Sequence, residues 1–186
     1  MTIIEDALGY NPSGRTDEDG LFKTVAVTET EFEYYSDVKG DAYSWNFLTY
    51  DSAAGDTIGL IKNTSDSKEL HIDSITISSD TETVFTIHLP TTEVTPTGTS
   101  VTGVNLNTRS VKVAPATAIT DETNNTQGTI IFQTEIQAAG APYEKLYSGA
   151  LIIGQNKSIA IDIVADIAAF NLTIEGHFTP NREVFS

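Results

Sequence analysis

The chain has 186 residues, no cysteine, and ten Lys/Arg against 26 Asp/Glu, a formal net charge of −16. Without cysteine there are no disulfides, thiolate nucleophiles or Cys-ligated zinc, and so strong a negative charge repels nucleic acid and anionic membrane. Length fits one domain with its own core.

Residues 1–21 open without the basic and apolar regions of a signal peptide, and no apolar run of about 18 residues spans a bilayer, so synthesis in a cytoplasm is expected. Asn-Pro, Ser-Gly and Asp-Gly punctuation makes this segment an arm or ordered loop before a single β-domain over 22–186. Residues 1–41 carry ten acids against Arg15, Lys23 and Lys39, a solvated face or one that meets a basic partner.

Thr, Ile, Val and aromatic residues dominate the remainder of the chain, and they favour strands. Strands are predicted over 22–34, 42–50, 56–63, 69–78, 83–89, 101–106, 109–114, 129–137, 145–153, 157–165 and 170–178. In the second, Tyr43, Trp45 and Phe47 alternate in phase, within an aromatic-rich stretch that also holds Tyr34, Tyr35 and Tyr50. Tyr34, Tyr35, Tyr43, Trp45 and Tyr50 are therefore candidate interface residues, for a protein partner or sugar rings. The same alternation also suits an inward-facing core row.

LHIDSITIS breaks phase: Leu70 and Ile72 agree with each other, as do Ile75 and Ile77, but the two pairs disagree. A bulge at Asp73-Ser74 returns both to the core. Phe85, Ile87 and Leu89 then point inward until Pro90 ends the ladder. Segments 90–103 and 115–128 are rich in Thr, Gly, Pro and Asn and read as surface excursions.

Later strands alternate cleanly. Ile130, Phe132, Thr134 and Ile136 share a face, as do Ile159, Ile161 and Ile163, then Leu172, Ile174, Gly176 and Phe178. Their reverse faces, with Asp162, Glu175 and His177, are expected to be wet or to form a contact. Eight or more short strands with long polar connections predict an all-β fold, an antiparallel β-sandwich of jelly-roll type.

Motifs for chemistry are missing from this pattern. His71, His88 and His177 fall on separate strands without metal-ligand spacing, so no metal site is expected and they read as ordinary polar-face residues. RTDEDG resembles part of an EF-hand, but Arg15 and Ala26 occupy positions where carboxylates are required. No serine sits in Gly-x-Ser-x-Gly and no phosphate-binding glycine loop occurs. Asp162, Glu175 and His177 are the sole enzyme-like grouping, and the chain is expected to be no enzyme and to need no cofactor.

GLIKNTSDSKELHIDSITIS, TVFTIHLP, GTIIFQTEIQ and LYSGALIIGQNKSIAIDIVADIAAFNLTIEGHF together resemble the small β-sandwich structural proteins of tailed-phage virions, including head decoration (cement) proteins, over residues 56–178. The resemblance implies a homo-oligomer, commonly a trimer, that clamps the major capsid protein on the outer surface of the head. It carries no catalytic residues across. The alternative it leaves open is a receptor- or carbohydrate-binding domain of a viral tail or fibre, for which Tyr43, Trp45 and Tyr50 would supply the aromatic platform.

Overall fold

The computed structural model describes residues 15–16, 22–23, 30–52, 57–90, 98–122, 128–138, 141–164 and 166–181. Most of the segment 1–21, including Asp17 and Asp19 of RTDEDG, lies outside them. A short hairpin, β1 (Arg15–Thr16) with β2 (Phe22–Lys23), precedes a single-turn helix α1 (Glu31–Tyr34) that runs into a π-helical turn, Tyr35–Lys39. Then come β3 (Ala42–Ser52), β4 (Thr57–Asn63), β5 (Lys68–Ser79), β6 (Thr83–Leu89), β7 (Thr99–Val101), β8 (Val104–Asn105) and β9 (Ala116–Thr120). The last four are β10 (Thr129–Ile136), β11 (Tyr143–Ile153), β12 (Ser158–Ile163) and β13 (Ile167–Pro180).

Two antiparallel sheets pack face to face, one ordered β10-β6-β12-β4-β9-β7 and the other β11-β5-β13-β3-β8. Eight of these strands pair as β3 with β13, β4 with β12, β5 with β11 and β6 with β10, and along these eight the chain changes sheet at every step except from β6 to β10. That is the topology of a jelly roll. Between the sheets lie Trp45, Phe47, Ile58, Ile61, Leu70, Ile72, Ile75, Phe85, Ile161, Ile174 and Phe178, all fully buried. Among the described residues no helix is long and apolar enough to cross a membrane.

The expected phase break in β5 is a β-bulge. Ser74 stands opposite Glu175 on β13 and Ile72 opposite Gly176, leaving Asp73 as the extra residue, and both apolar pairs face the core. Gly176 is needed at this step because a Cβ there would lie 2.5 Å from the His71 carbonyl.

Six expectations about strands and their facing are corrected. Residues 31–34 are helical rather than extended, because Thr30 and Glu33 form a capping box that ends strand geometry. The predicted strand over 101–106 divides into β7 and β8, which join different sheets, and 109–114 forms no strand. Residues 116–120, expected in a surface excursion, are β9, paired with β4 and burying Ala118, Ile119 and Thr120. Ile130 is exposed because the ladder slips between it and Phe132, leaving Ile131 extra and reversing its phase. The reverse face of β12 is neither wet nor open, since Ala160 packs with Leu60 and Ile119 in a second buried cluster and Asp162 is buried beside it.

Candidate functional site

The capping box at the start of α1 is complete: the Thr30 hydroxyl accepts from the Glu33 backbone N–H at 3.2 Å, and Glu33 Oε2 accepts from the Thr30 backbone N–H at 2.8 Å. These bonds from Thr30, backbone first and hydroxyl second, hold the Glu33 carboxyl below its usual range. The cap fixes how this short turn enters, and it carries Phe32 and Tyr35 onto the ring of His177. Thr30→Ala is expected to cost the turn about 1 kcal/mol and to speed amide exchange over residues 31–39, leaving the β-sheet amides unchanged.

Beneath this turn, His177 of β13 and His71 of β5 are directly opposite each other in register. Their rings stack with centroids 5.1 Å apart, and Tyr35 stacks on the other face of His177, also at 5.1 Å. Both histidines are buried. Each is held at Nδ1: His177 Nδ1 lies 2.7 Å from Asp73 Oδ2, and His71 Nδ1 lies 2.9 Å from the Gly149 carbonyl. A carbonyl only accepts, so His71 Nδ1 bears the proton and its Nε2 presents a lone pair; a carboxylate partner directs His177 to the same tautomer. Thr179 Oγ1 lies 3.0 Å from His71 Nε2, whereas His177 Nε2 is buried with no hydrogen-bond partner among the described residues.

Backbone irregularity creates these contacts. The β5 bulge turns Asp73 toward His177. Opposite it, β11 breaks register between Leu146 and Leu151, with Ser148 at φ 49° and Gly149 at φ 77°, which brings the Gly149 carbonyl to His71. Such interruptions re-aim single groups that regular strands would hold apart. Beside the histidines is a shallow cleft of about 250 Å³ whose walls include the carboxylates Glu31, Asp73, Glu144 and Glu175. One ligand-capable atom from each of Glu31, His71 and His177 lies within 4.8 Å of the other two.

His88 is buried elsewhere. Its Nε2 meets Asp162 Oδ2 at 2.6 Å, and Thr57 Oγ1 donates to Asp162 Oδ1 at 2.7 Å. The Gly128 N–H donates to His88 Nδ1 at 3.3 Å, so Nε2 carries the proton given to Asp162. Asp162 thus stands on the six-stranded sheet and Glu175 and His177 on the five-stranded one, and the enzyme-like grouping is not assembled. None of the three histidines is an ordinary polar-face residue; all are buried and bonded.

The aromatic candidates divide. Tyr43 and Trp45 are fully buried core residues, a correction to their place among interface candidates, because strand alternation sends them inward with Phe47. Burial, with the Asp41 carboxylate adding to it, pushes the Tyr43 phenol up to about 12. Tyr34 and Tyr35 are half-buried on the helical turn, Tyr34 edge-on to Tyr35 and beneath the Lys39 ammonium. The side chain of Tyr50 lies outside the described parts of the chain.

A different surface was missed. At the β8 edge of the five-stranded sheet, Val111 and Val113 are 95% and 79% exposed, with Val104, Leu106 and Val38 also open. Lys39, Arg109 and Lys112 belong to the same region: Asn107 bonds the Ser36 and Asp37 carbonyls, Arg109 pairs with Asp37, and Lys112 donates to the Lys39 carbonyl and to Asp41. The alternating valines of VKV were visible in the sequence, but as a predicted strand they promised a buried face. No family model, curated protein or solved structure matches this chain.

Proposed function

We propose that the protein is a virion structural protein, a capsid decoration (cement) subunit that works as a homo-oligomer on the outer surface of a viral head. The observation that carries this reading is the β8 edge, where Val104, Leu106, Val111 and Val113, close together in the chain, are exposed, the two valines after β8 most of all, while the core between the sheets is buried. The edge is flanked by Lys39, Arg109 and Lys112, whereas the whole chain carries a net charge of −16. An exposed apolar edge of this kind suits contact with a second copy, and head-to-tail contacts whose rotation closes give rings such as a trimer.

The resemblance of residues 56–178 to decoration proteins supports the same reading. A ring attaches through several weak contacts, each raising the effective concentration of the next. The jelly roll is compatible with this role without specifying it. The tail or fibre carbohydrate-binding alternative loses its main motive, because Tyr43 and Trp45 are core residues.

Light scattering on a sizing column tests the copy-to-copy contact. The wild-type chain is expected to elute as a closed oligomer, and Val111→Asp with Val113→Asp to weaken it at least about tenfold, since charges are buried at the centre of the contact. Added to undecorated heads, the wild-type protein is expected to saturate symmetric sites and the double variant to bind poorly. A monomeric wild type, or saturation by the double variant at wild-type concentrations, contradicts the reading.

A further inference from the structure

We propose that Glu31, His71 and His177 form a binding site for a divalent transition-metal ion of the zinc class, which fastens the helical turn of residues 31–39 to the outer face of the five-stranded sheet. The proposal stands independently of the decoration reading. Two imidazoles and a carboxylate are the donor set that suits such ions, while calcium and magnesium prefer oxygen ligands alone.

Three observations converge. The first is how the histidines are prepared: His71 gives its Nδ1 proton to the Gly149 carbonyl, and Asp73 holds His177 at Nδ1. Metal-ligating histidines are oriented in this way, by a carbonyl or carboxylate that fixes the tautomer and strengthens the other nitrogen as a donor. The second is His177 Nε2, which is fully buried and has no hydrogen-bond partner among the described residues. Burying such an atom unsatisfied costs about 1–3 kcal/mol, and coordination to a cation would remove the deficit.

The third is the carboxylate and its surroundings. Glu31 is exposed on α1 and contributes an oxygen within 4.8 Å of the histidine donors, so the site is open to entry from its side. Asp73, Glu144 and Glu175 in the adjoining cleft give the entrance a negative field that concentrates cations. Donors on a tetrahedral zinc stand roughly 3.3 Å apart, given bonds of about 2.0 Å. Loading therefore draws the groups together, and the movable member is Glu31, on a helix of one turn. His71 and His177 come from β5 and β13, Glu31 from α1, so an ion would tie the helical segment to the sandwich.

The test uses the full chain, freed of metal by a chelator and then titrated with Zn²⁺, Co²⁺ and Ca²⁺. One equivalent of Zn²⁺ is expected to bind, raise the thermal midpoint and slow amide exchange over residues 31–39. Co²⁺ is expected to develop the visible bands of a nitrogen- and oxygen-ligated ion, and Ca²⁺ to leave all three readouts unchanged. Glu31→Gln, a surface change that leaves the sheet intact, is expected to weaken Zn²⁺ by about tenfold or more, and His177→Asn to abolish the Co²⁺ spectrum. Folded wild-type protein that binds neither Zn²⁺ nor Co²⁺ overturns the proposal, as does Zn²⁺ binding of unchanged affinity in folded Glu31→Gln.

Discussion

Trp45→Ala is expected to lower the unfolding free energy by about 3–5 kcal/mol, the range for deleting a large aromatic side chain from a packed core. The indole is fully buried, packed against Tyr43 with ring centroids 6.0 Å apart, and sits so close to Gly103 that a Cβ there would lie 2.5 Å from Nε1. Neither neighbour can fill the vacated space without moving its strand or loop. Trp45→Phe is expected to be much milder, because the indole N–H has no hydrogen-bond partner among the described residues to lose. Urea titration of the two variants checks this ordering. A Trp45→Ala protein with the wild-type midpoint would place the indole at a surface, where the carbohydrate-binding alternative needs it.

Asp162→Ala is the second large effect, expected at about 2–6 kcal/mol, because two buried donors lose their acceptor at about 1–3 kcal/mol each. It would remove the acceptor of two buried bonds at once, those from His88 Nε2–H and from the Thr57 hydroxyl. Asp162→Asn should recover only part of the loss: its carbonyl can still accept from Thr57, but its NH₂ then faces a ring nitrogen that already carries a proton. Turning the amide over relieves that conflict, since the carbonyl then accepts from His88 and the NH₂ donates to the Thr57 oxygen, but the Thr57 hydroxyl loses its acceptor at this position. The expected order of stability is wild type, then Asn, then Ala, read from denaturant midpoints. Equal midpoints for wild type and Ala would mean that the pair contributes nothing to the fold.

The architecture was legible wherever alternation is local. Ile159, Ile161 and Ile163, or Leu172, Ile174 and Phe178, each state their facing within a few residues, and the phase break between Ile72 and Ile75 located the Asp73 bulge from the sequence. β9 was not legible, because ATAIT offers one large apolar residue and lies between loop-forming segments; its pairing with β4 decides its state. The helical turn was signalled by Thr30-x-x-Glu33, a capping box hidden among residues that also favour strands.

The histidine site was illegible for a different reason. His71 and His177 are 106 positions apart and meet only because β5 and β13 pair in one particular register. Sequence spacing holds no trace of that register. Local signals for the supporting groups did exist: His-Ile-Asp placed a carboxylate two residues from a histidine at a suspected bulge, and Ser-Gly in β11 marked a stretch tolerant of positive φ. The exposed valines were misjudged because alternation predicts a face without saying whether another sheet covers it.

The reading of this jelly roll as a subunit that works by its outer contacts is tested most directly by electron cryomicroscopy of native particles carrying the protein. The predicted result is a ring of jelly rolls on the outer surface of the shell, with Val104, Leu106, Val111 and Val113 buried against the neighbouring copy. Density away from the shell, or a shell-bound protein whose four side chains face solvent, would contradict it.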